Sequence, residues 1–505
     1  MDTTFDFNNI YVFDLANNHQ GLIEHGLRII RECGSVAREN RIRAALKFQF
    51  RKMDTLIHPR HLEGSSNRHI PRFLSTRLDF KDYAELAQEV KKSGMITMST
   101  PFDEDSVDDL VNLDIEVIKI ASCSATDWPL LDKIATCNKP VVVSTAGLSW
   151  EQIDNLISFF DHRRVHFALM HCVAIYPTPD EKLQLNQIYL LRQRYPSKTI
   201  GFSTHERPDD FAPVMVAVAK GARILERHVG IATDEIKLNA YSSTPEQLDR
   251  WIKAASKAQI LCGADERLPS DANEISSLQS LQRGVYARLP IKKDALIERG
   301  NIYFAMPVEE NHLVSGDWKE GIVAQTAIDR DQPLLLSDIA IPDDPERAVL
   351  FRAIHTAKAM LNEARIALPT EFETEFSHHY GIANLLKVGI IMITCVNRSY
   401  CKKIIVQLPG QRHPMHYHKQ KEETFQVLHG ILEMQIEDRR RTLYAGDIQL
   451  VQQGVWHEFW TEKGVIFEEV SSTHFSNDSF YEDKRINQQG VARKTIVNQW
   501  GRYQL

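Results

Sequence analysis

The stretch PMHYHKQKEETFQVLHG, residues 414–430, holds two histidines one residue apart and a glutamate five residues later. Those side chains are metal ligands by type. On an extended chain His416 and His418 point to the same face, because strand side chains alternate with a period of two. Glu423 follows, and GDIQLVQQGVWH supplies His457 further on. Two imidazoles and a carboxylate at this spacing are a metal-binding kit. A second group of reactive residues lies in the first half of the chain, at the ends of short apolar runs. It comprises Asp14, Asn17 and His19; Lys47 and Gln49; Ser99 and Thr100; Lys119 and Ser122; Ser144 and Thr145; His171; Ser203 and His205; and Glu226 and His228. Two lysines among several hydroxyls make a site for a phosphate or carboxylate. His205 and His228 can share a divalent cation and leave positions open for substrate.

Those residues need elements that bring them to one place. β-rich runs at 10–16, 44–50, 95–100, 114–121, 140–145, 165–171, 199–204 and 223–228 alternate with helical patterns such as YAELAQEVKKSG and PEQLDRWIKAASKAQI. Apolar strands separated by helices predict a parallel sheet buried on both faces. Eight of them predict a closed (β/α)8 TIM barrel, whose active site forms at the C-terminal ends of the strands. The long connection 51–78, rich in Arg, His and Ser, reads as a lid or binding loop. After residue 368 the pattern changes. KVGIIMITCV, KKIIVQL, TFQVLHGILEMQI, RTLYAGDIQLV and GVIFEEV are closely spaced strands with Gly turns. They predict a small all-β barrel or jelly roll.

A chain of 505 residues has room for about three domains. Lys+Arg 60 against Asp+Glu 67 gives −7, which suits neither a nucleic-acid nor an anionic-membrane surface. The N-terminus shows no signal-peptide pattern, and no apolar run reaches the ~18 residues of a membrane-spanning helix. Seven scattered cysteines, odd in number and without a CxxC pair, predict a reduced cytoplasmic protein.

Residues 10–260 resemble the sialic acid synthase family. The resemblance rests on NNHQG (17–21), LKFQ (46–49), STPFDEDSVDDL (99–110), IKIAS (118–122), KPVVVSTAG (139–147), LMHCVAIYPTP (169–179), IGFSTH (200–205) and LERH (225–228), in family order. It implies condensation of phosphoenolpyruvate with an N-acetylmannosamine-like aldose. It also implies that Lys47, Thr100, Lys119, Ser122, Ser144 and Ser203 hold phosphoenolpyruvate, and that His205 and His228 hold manganese or magnesium. Tyr176 and Gln49 would face the sugar, and Asp14 stands where the family has a glutamate near the reacting carbons. Residues 283–343 resemble the family's antifreeze-like (SAF) domain, which implies a domain-swapped homodimer.

The sugar-reading positions depart from the family. Met306-Pro307-Val308 replaces Arg-Pro-Gly, Ser124 replaces a glutamate, Ala174 an asparagine, and Asn239 is nearest to a missing acidic residue. The C-terminal histidine motifs resemble the cupin pair G-x5-H-x-H-x4-E-x6-G and G-x5-P-x-G-x2-H, with Gln452 at the proline. That resemblance implies a site of His416, His418, Glu423 and His457 with open coordination positions, suited to Mn, Fe, Ni or Zn. The expected organisation is a barrel over 1–265, an antifreeze-like domain over 280–343, a helical linker over 344–368, a cupin over 369–485 and a tail over 486–505. The cupin reads either as a metal-stiffened structural module or as a sugar isomerase or epimerase. His378, His379 and Tyr380 are either further cavity residues or ordinary strand-end residues. Two rivals stand beside the sialic-acid-type reading. One is a synthase for another 3-deoxy-ulosonic acid. The other is a degenerate barrel that serves as a sugar-binding scaffold, with the cupin alone active.

Overall fold

The eight apolar runs of the first half all form strands in the computed structural model, which describes residues 4–475 and 477–498. They are β1 (Ile10–Asp14), β2 (Arg43–Phe50), β3 (Ile96–Pro101), β4 (Val117–Ile120), β5 (Val141–Ser144), β6 (Phe167–Cys172), β7 (Ile200–Thr204) and β8 (Ile224–His228). Each pairs in parallel with the next, and β8 closes on β1 to complete the ring. The strands read as continuous apolar runs because both faces are buried. Tyr11, Phe13, Leu46 and Phe48 pack outward beneath the helices. Val12, Ala45, Met98, Val117, Val142 and Ile224 belong to a separate apolar cluster that fills the barrel. One alternation further along, the inner residues turn polar: Asp14, Lys47, Lys119, Ser144 and Glu226. The apolar plug thus forms the floor under a polar mouth.

The helices show why their sequences fold locally. Thr244 caps the last barrel helix, Pro245–Cys262, with Gln247 completing a capping box and Pro245 at its first position. That helix buries Trp251, Ile252 and Ala255 completely against the barrel, at about 1.5–3 kcal/mol for each large apolar side chain removed from water. Among the described residues no helix is long and apolar enough to cross a membrane.

The chain divides into two compact units, Met1–Leu268 and Pro269–Leu505. The second begins with an exposed helix, Ala272–Ser280. Two short antiparallel ladders follow, Gly284–Ala287 with Ile302–Ala305 and Val323–Ala324 with Ile339–Ala340. They enclose a core of their own around Val285, Ile302, Leu313 and Leu334. The helix Glu346–Glu363 is more than a connector. Its Val349, Ala353, Ala357 and Leu361 are buried with Phe376, Ile391, Ile393 and Val406 of the sheet that follows.

That sheet is all antiparallel. Its long strand Glu423–Ile436 pairs at one end with Val465–Ser472 and at the other with His457–Trp460. The strand thereby belongs to both faces of the curled sheet and closes an apolar core of Phe425, Val427, Met434, Phe459 and Phe467. RTLYAGDIQLV is two strands, Arg439–Tyr444 and Ile448–Val451. Gly446, at φ 97, makes the turn between them. Past residue 486 the chain does not run free. Lys494–Asn498 pairs with Glu373–Ser377 as an edge strand. Residues 499–505 of the expected tail lie outside the described residues.

Candidate active site and metal centre

Register alone gathers the barrel's reactive groups. Asp14 lies opposite Lys47 on one side and His228 on the other, and Ser203 lies opposite Glu226. Lys47 Nζ sits 3.0 Å from Asp14 Oδ2 and 2.8 Å from Glu226 Oε1. Lys119 Nζ sits 3.7 Å from Glu226 Oε2 and donates to Ser144 Oγ at 2.5 Å. Burial opposes the charge on Glu226, but Lys119 and Lys47 outweigh it and hold its carboxyl down to about 2. Burial likewise opposes the Lys47 ammonium, and Asp14 and Glu226 reverse the effect and raise it above the ordinary lysine value. Lys119 is held below that value by burial. These groups line a cavity of about 880 Å³ at the barrel mouth.

Above them stand the two histidines, with ring centres 5.3 Å apart. His205 Nδ1–H donates to the Val173 carbonyl at 2.9 Å, which fixes the tautomer and leaves Nε2 with its lone pair. Burial and the nearby His228 hold the His205 imidazole down to about 3, and burial also lowers His228. His228 Nδ1 is buried without a hydrogen-bond partner, 3.4 Å from Asp14 Oδ2. Two neutral imidazoles, one oriented by a backbone carbonyl and one orphaned, fit a divalent cation. Tyr176 packs 4.2 Å from the His205 ring, and Tyr241 packs 5.1 Å from both Tyr176 and His228. The 51–78 connection forms another wall. Its Arg51 guanidinium lies between the Phe73 and Phe102 rings, 4.0 Å from each, and donates to Gln49 Oε1 at 2.5 Å. Gln49 in turn donates to Asp14 Oδ2 at 3.3 Å.

The second centre lies in the antiparallel unit. His416, His418, Glu423 and His457 are all buried, with one ligand atom from each within 4.8 Å of all the others. His416 pairs directly with His457 across the ladder, next to a break in register between His413 and His416. Each imidazole is held by its Nδ1: His416 on Pro414 O at 3.0 Å, His418 on Asp478 O at 2.8 Å, and His457 on Val455 O at 3.1 Å. The three Nε2 atoms therefore remain as acceptors. His418 Nε2 and His457 Nε2 each stand 3.3 Å from a Glu423 oxygen. Glu423 Oε2 and His457 Nε2 are buried with no hydrogen-bond partner. Orphaned acceptors that converge in this way fit a divalent metal. Lys421 ion-pairs with Glu423 and, at 2.9 Å, with Glu469.

Comparison with known proteins agrees with both halves. The profile of the NeuB family matches residues 36–267, and that of the Cupin domain matches residues 404–467. The crystal structure assigned as spore coat polysaccharide biosynthesis protein E of Chromobacterium violaceum is 42% identical, covering 66% of this chain and 100% of its own, with a TM-score of 0.63. The chain belongs to the NeuB family. Its curated relatives include the N-acetylneuraminate-9-phosphate synthase of Drosophila melanogaster, 31% identical over 44% of this chain and 60% of that protein. The N,N'-diacetyllegionaminic acid synthase of Campylobacter jejuni is 28% identical over 46% of this chain and 69% of that protein.

Within this NeuB barrel, Asp14, Lys47, Gln49, Lys119, Ser122, Ser144, Tyr176, Ser203, His205 and His228 all line the one cavity. Thr100 does not. It is buried on β3, with Oγ1 unpartnered. Other polar residues at the strand ends serve the fold. His171 bonds the Leu183 carbonyl at 2.7 Å, Thr145 donates to Met170 O, and His19 Nδ1 accepts from the Gly21 N–H. Glu226, Arg51 and Tyr241 line the cavity without a role having been read for them. Glu226 carried a signal, since it precedes His228 by two on β8 and so shares its face. Ala174 and Asn239, both departures from the family pattern, also line the cavity. His378, His379 and Tyr380 bond Thr495, Tyr481 and Asp483 and do not line the cupin cavity.

Proposed function

We propose that the barrel condenses phosphoenolpyruvate with an N-acetylmannosamine-like aldose to give a sialic-acid-type 2-keto-3-deoxy sugar acid and phosphate. The observation that carries this reading is the joint placement of Lys47, Lys119, Ser144 and Ser203 beneath the His205–His228 pair in one cavity. The two ammonium groups hold the phosphate as charge-assisted donors. A manganese or magnesium ion on His205 and His228 would supply Lewis-acid polarisation of the aldehyde oxygen. C3 of phosphoenolpyruvate forms the new bond to the aldehyde carbon, and the aldehyde oxygen takes up a proton. Water adds at C2 and loses its proton to Asp14. The C2–O bond to phosphate then breaks and the departing phosphate takes the C2 hydroxyl proton, leaving the 2-keto acid. Lys47, 3.0 Å from Asp14, keeps that carboxylate oriented and stabilises charge as phosphate leaves.

The names of the curated relatives, all synthases of sialic-acid-like sugars among those cited, support the same reaction class. Ala174 and Asn239 in the cavity wall favour, as the second reading, a synthase for another 3-deoxy-ulosonic acid. The cupin metal centre would isomerise or sense the sugar. The resemblance of residues 283–343 to an antifreeze-like domain supports a domain-swapped homodimer, and the seven free cysteines support a reducing, cytoplasmic setting. Phosphate release from phosphoenolpyruvate tests the reaction. It should require both an aldose and a divalent metal, stop in EDTA, and select the acceptor when sugars are screened. Release from no aldose at all would leave the scaffold reading standing.

A further inference from the structure

The cupin metal centre opens into a charged cavity in which one cation has no ion-pair partner among the described residues. Lys421 is matched by Glu423 and Glu469. Lys494 is matched by Glu375 at 3.0 Å. Arg493 donates to Tyr481 Oη at 3.1 Å and Ser377 Oγ at 3.4 Å. The fourth cation, Lys403, has no hydrogen-bond or ion-pair partner among the described residues, although it is only 2% exposed. Its ammonium nitrogen keeps access to the cavity space, where an anion can meet it as a charge-assisted partner. Lys403 lines the metal-site cavity and also the adjoining cavity of about 250 Å³. His474 lines both as well, with a buried, unpartnered Nδ1. Four cations thus face three carboxylates in the metal-site wall, and Glu373 adds a fourth carboxylate in the adjoining cavity. A divalent ion on the three histidines and Glu423 would add further positive charge.

We propose that these adjoining cavities bind a carboxylate-bearing sugar acid, with its body in the larger one, its carboxylate on Lys403 and an oxygen reaching toward the His416–His418–Glu423–His457 centre through the metal-site cavity of about 40 Å³. A neutral aldose would leave Lys403 unpaired. The cupin therefore serves the acid side of the chemistry. The identification of that acid with the barrel's own product class rests on the condensation reading above; the charge argument does not.

The test is calorimetric titration of the full chain loaded with Mn2+. N-acetylneuraminate and glucuronate serve as acid probes and glucuronamide, the neutral counterpart of glucuronate and not the acceptor proposed for the barrel, as the neutral probe, and the Mn2+ electron paramagnetic resonance spectrum is recorded in parallel. An acid probe should bind and perturb the spectrum, and the neutral sugar should do neither. Lys403→Met should weaken acid binding at least about tenfold, the factor carried by one charge-assisted hydrogen bond. Lys47→Met, in the barrel, should leave it intact. Equal binding of the neutral sugar by the unaltered chain, or no binding of either acid, would overturn the proposal whatever the variants do. So would acid binding that is lost in Lys47→Met and kept in Lys403→Met, which would put the acid in the barrel. Failure of phosphate release would sink the condensation reading and leave this result untouched.

Discussion

Two buried ammonium groups, Lys47 and Lys119, approach the same carboxylate, Glu226, at 2.8 and 3.7 Å. Glu226→Gln leaves Lys119 without an anion. Removing one partner from a buried ion cluster costs about 3–5 kcal/mol, so the melting temperature of the barrel should fall. Phosphoenolpyruvate brings its own anions and should raise the variant's melting temperature more than the unaltered chain's; equal shifts in scanning calorimetry would argue that the phosphate lies elsewhere. A second carboxylate sets a pH dependence. Glu206 is buried with neither oxygen hydrogen-bonded, and burial pushes its carboxyl up to about 7 against the pull of Arg227, 3.6 Å away. The folded chain therefore keeps a proton that the unfolded chain releases near 4.5. This contribution is complete below the unfolded value and lost as pH rises through the folded one. Stability should decline from about pH 4.5 to 7. Glu206→Gln should flatten that slope in denaturant titrations, and an unaltered slope would remove Glu206 as its source.

Among the elements, the 51–78 connection does the most with the least regular structure. Its short helices, Met53–Leu56, the 3-10 turn Pro59–His61 and Ile70–Ser75, leave most of it irregular, so something must fix its position. Arg51 does this by stacking between Phe73 in the connection and Phe102 at the end of β3, while its guanidinium holds Gln49 and Asn17. Each desolvated cation–π contact contributes about 0.5–2 kcal/mol. Lysine keeps the charge but loses the planar fork and stack. Arg51→Lys should therefore raise the KM for the sugar by about tenfold and open the connection to protease, with little change in the KM for phosphoenolpyruvate. A change confined to the phosphoenolpyruvate KM would place the connection over the wrong substrate.

At the scale of the whole molecule, the two compact units carry separate metal kits, and their stabilities should respond separately. Metal binding to the folded cupin alone stabilises it by about 2.7 kcal/mol at a hundredfold excess over Kd. Adding Mn2+ or Zn2+ should thus move a thermal transition that His416→Ala/His418→Ala abolishes. The double variant should still condense a correct pre-formed aldose. If it cannot use that aldose's isomer, the cupin is an aldose isomerase and the sugar-acid proposal falls. If only its stability falls, the site is structural. Metal content measured at a single equivalent per chain in both forms would deny the cupin its ion.

Much of this was legible in the chain before it folds. Parallel strands buried on both faces must be apolar on both, so all eight barrel strands stood out as short runs. A period of two then put His228 beside Glu226, and His416 beside His418. Even so, Glu226 went without a role, because its partners Lys47 and Lys119 lie 179 and 107 residues away along the chain. The helix at 346–363 passed for a connector because its apolar face has meaning only against the sheet that covers it. Arg51, Tyr241 and Lys403 carry no motif at all. Residue types and local spacing determine which ligands and which strands exist, since alternation and helical period are properties of neighbouring residues. Which charge meets a counter-charge, and which is left buried without one, is decided by pairings across the barrel and the sheet, and tertiary structure alone makes those.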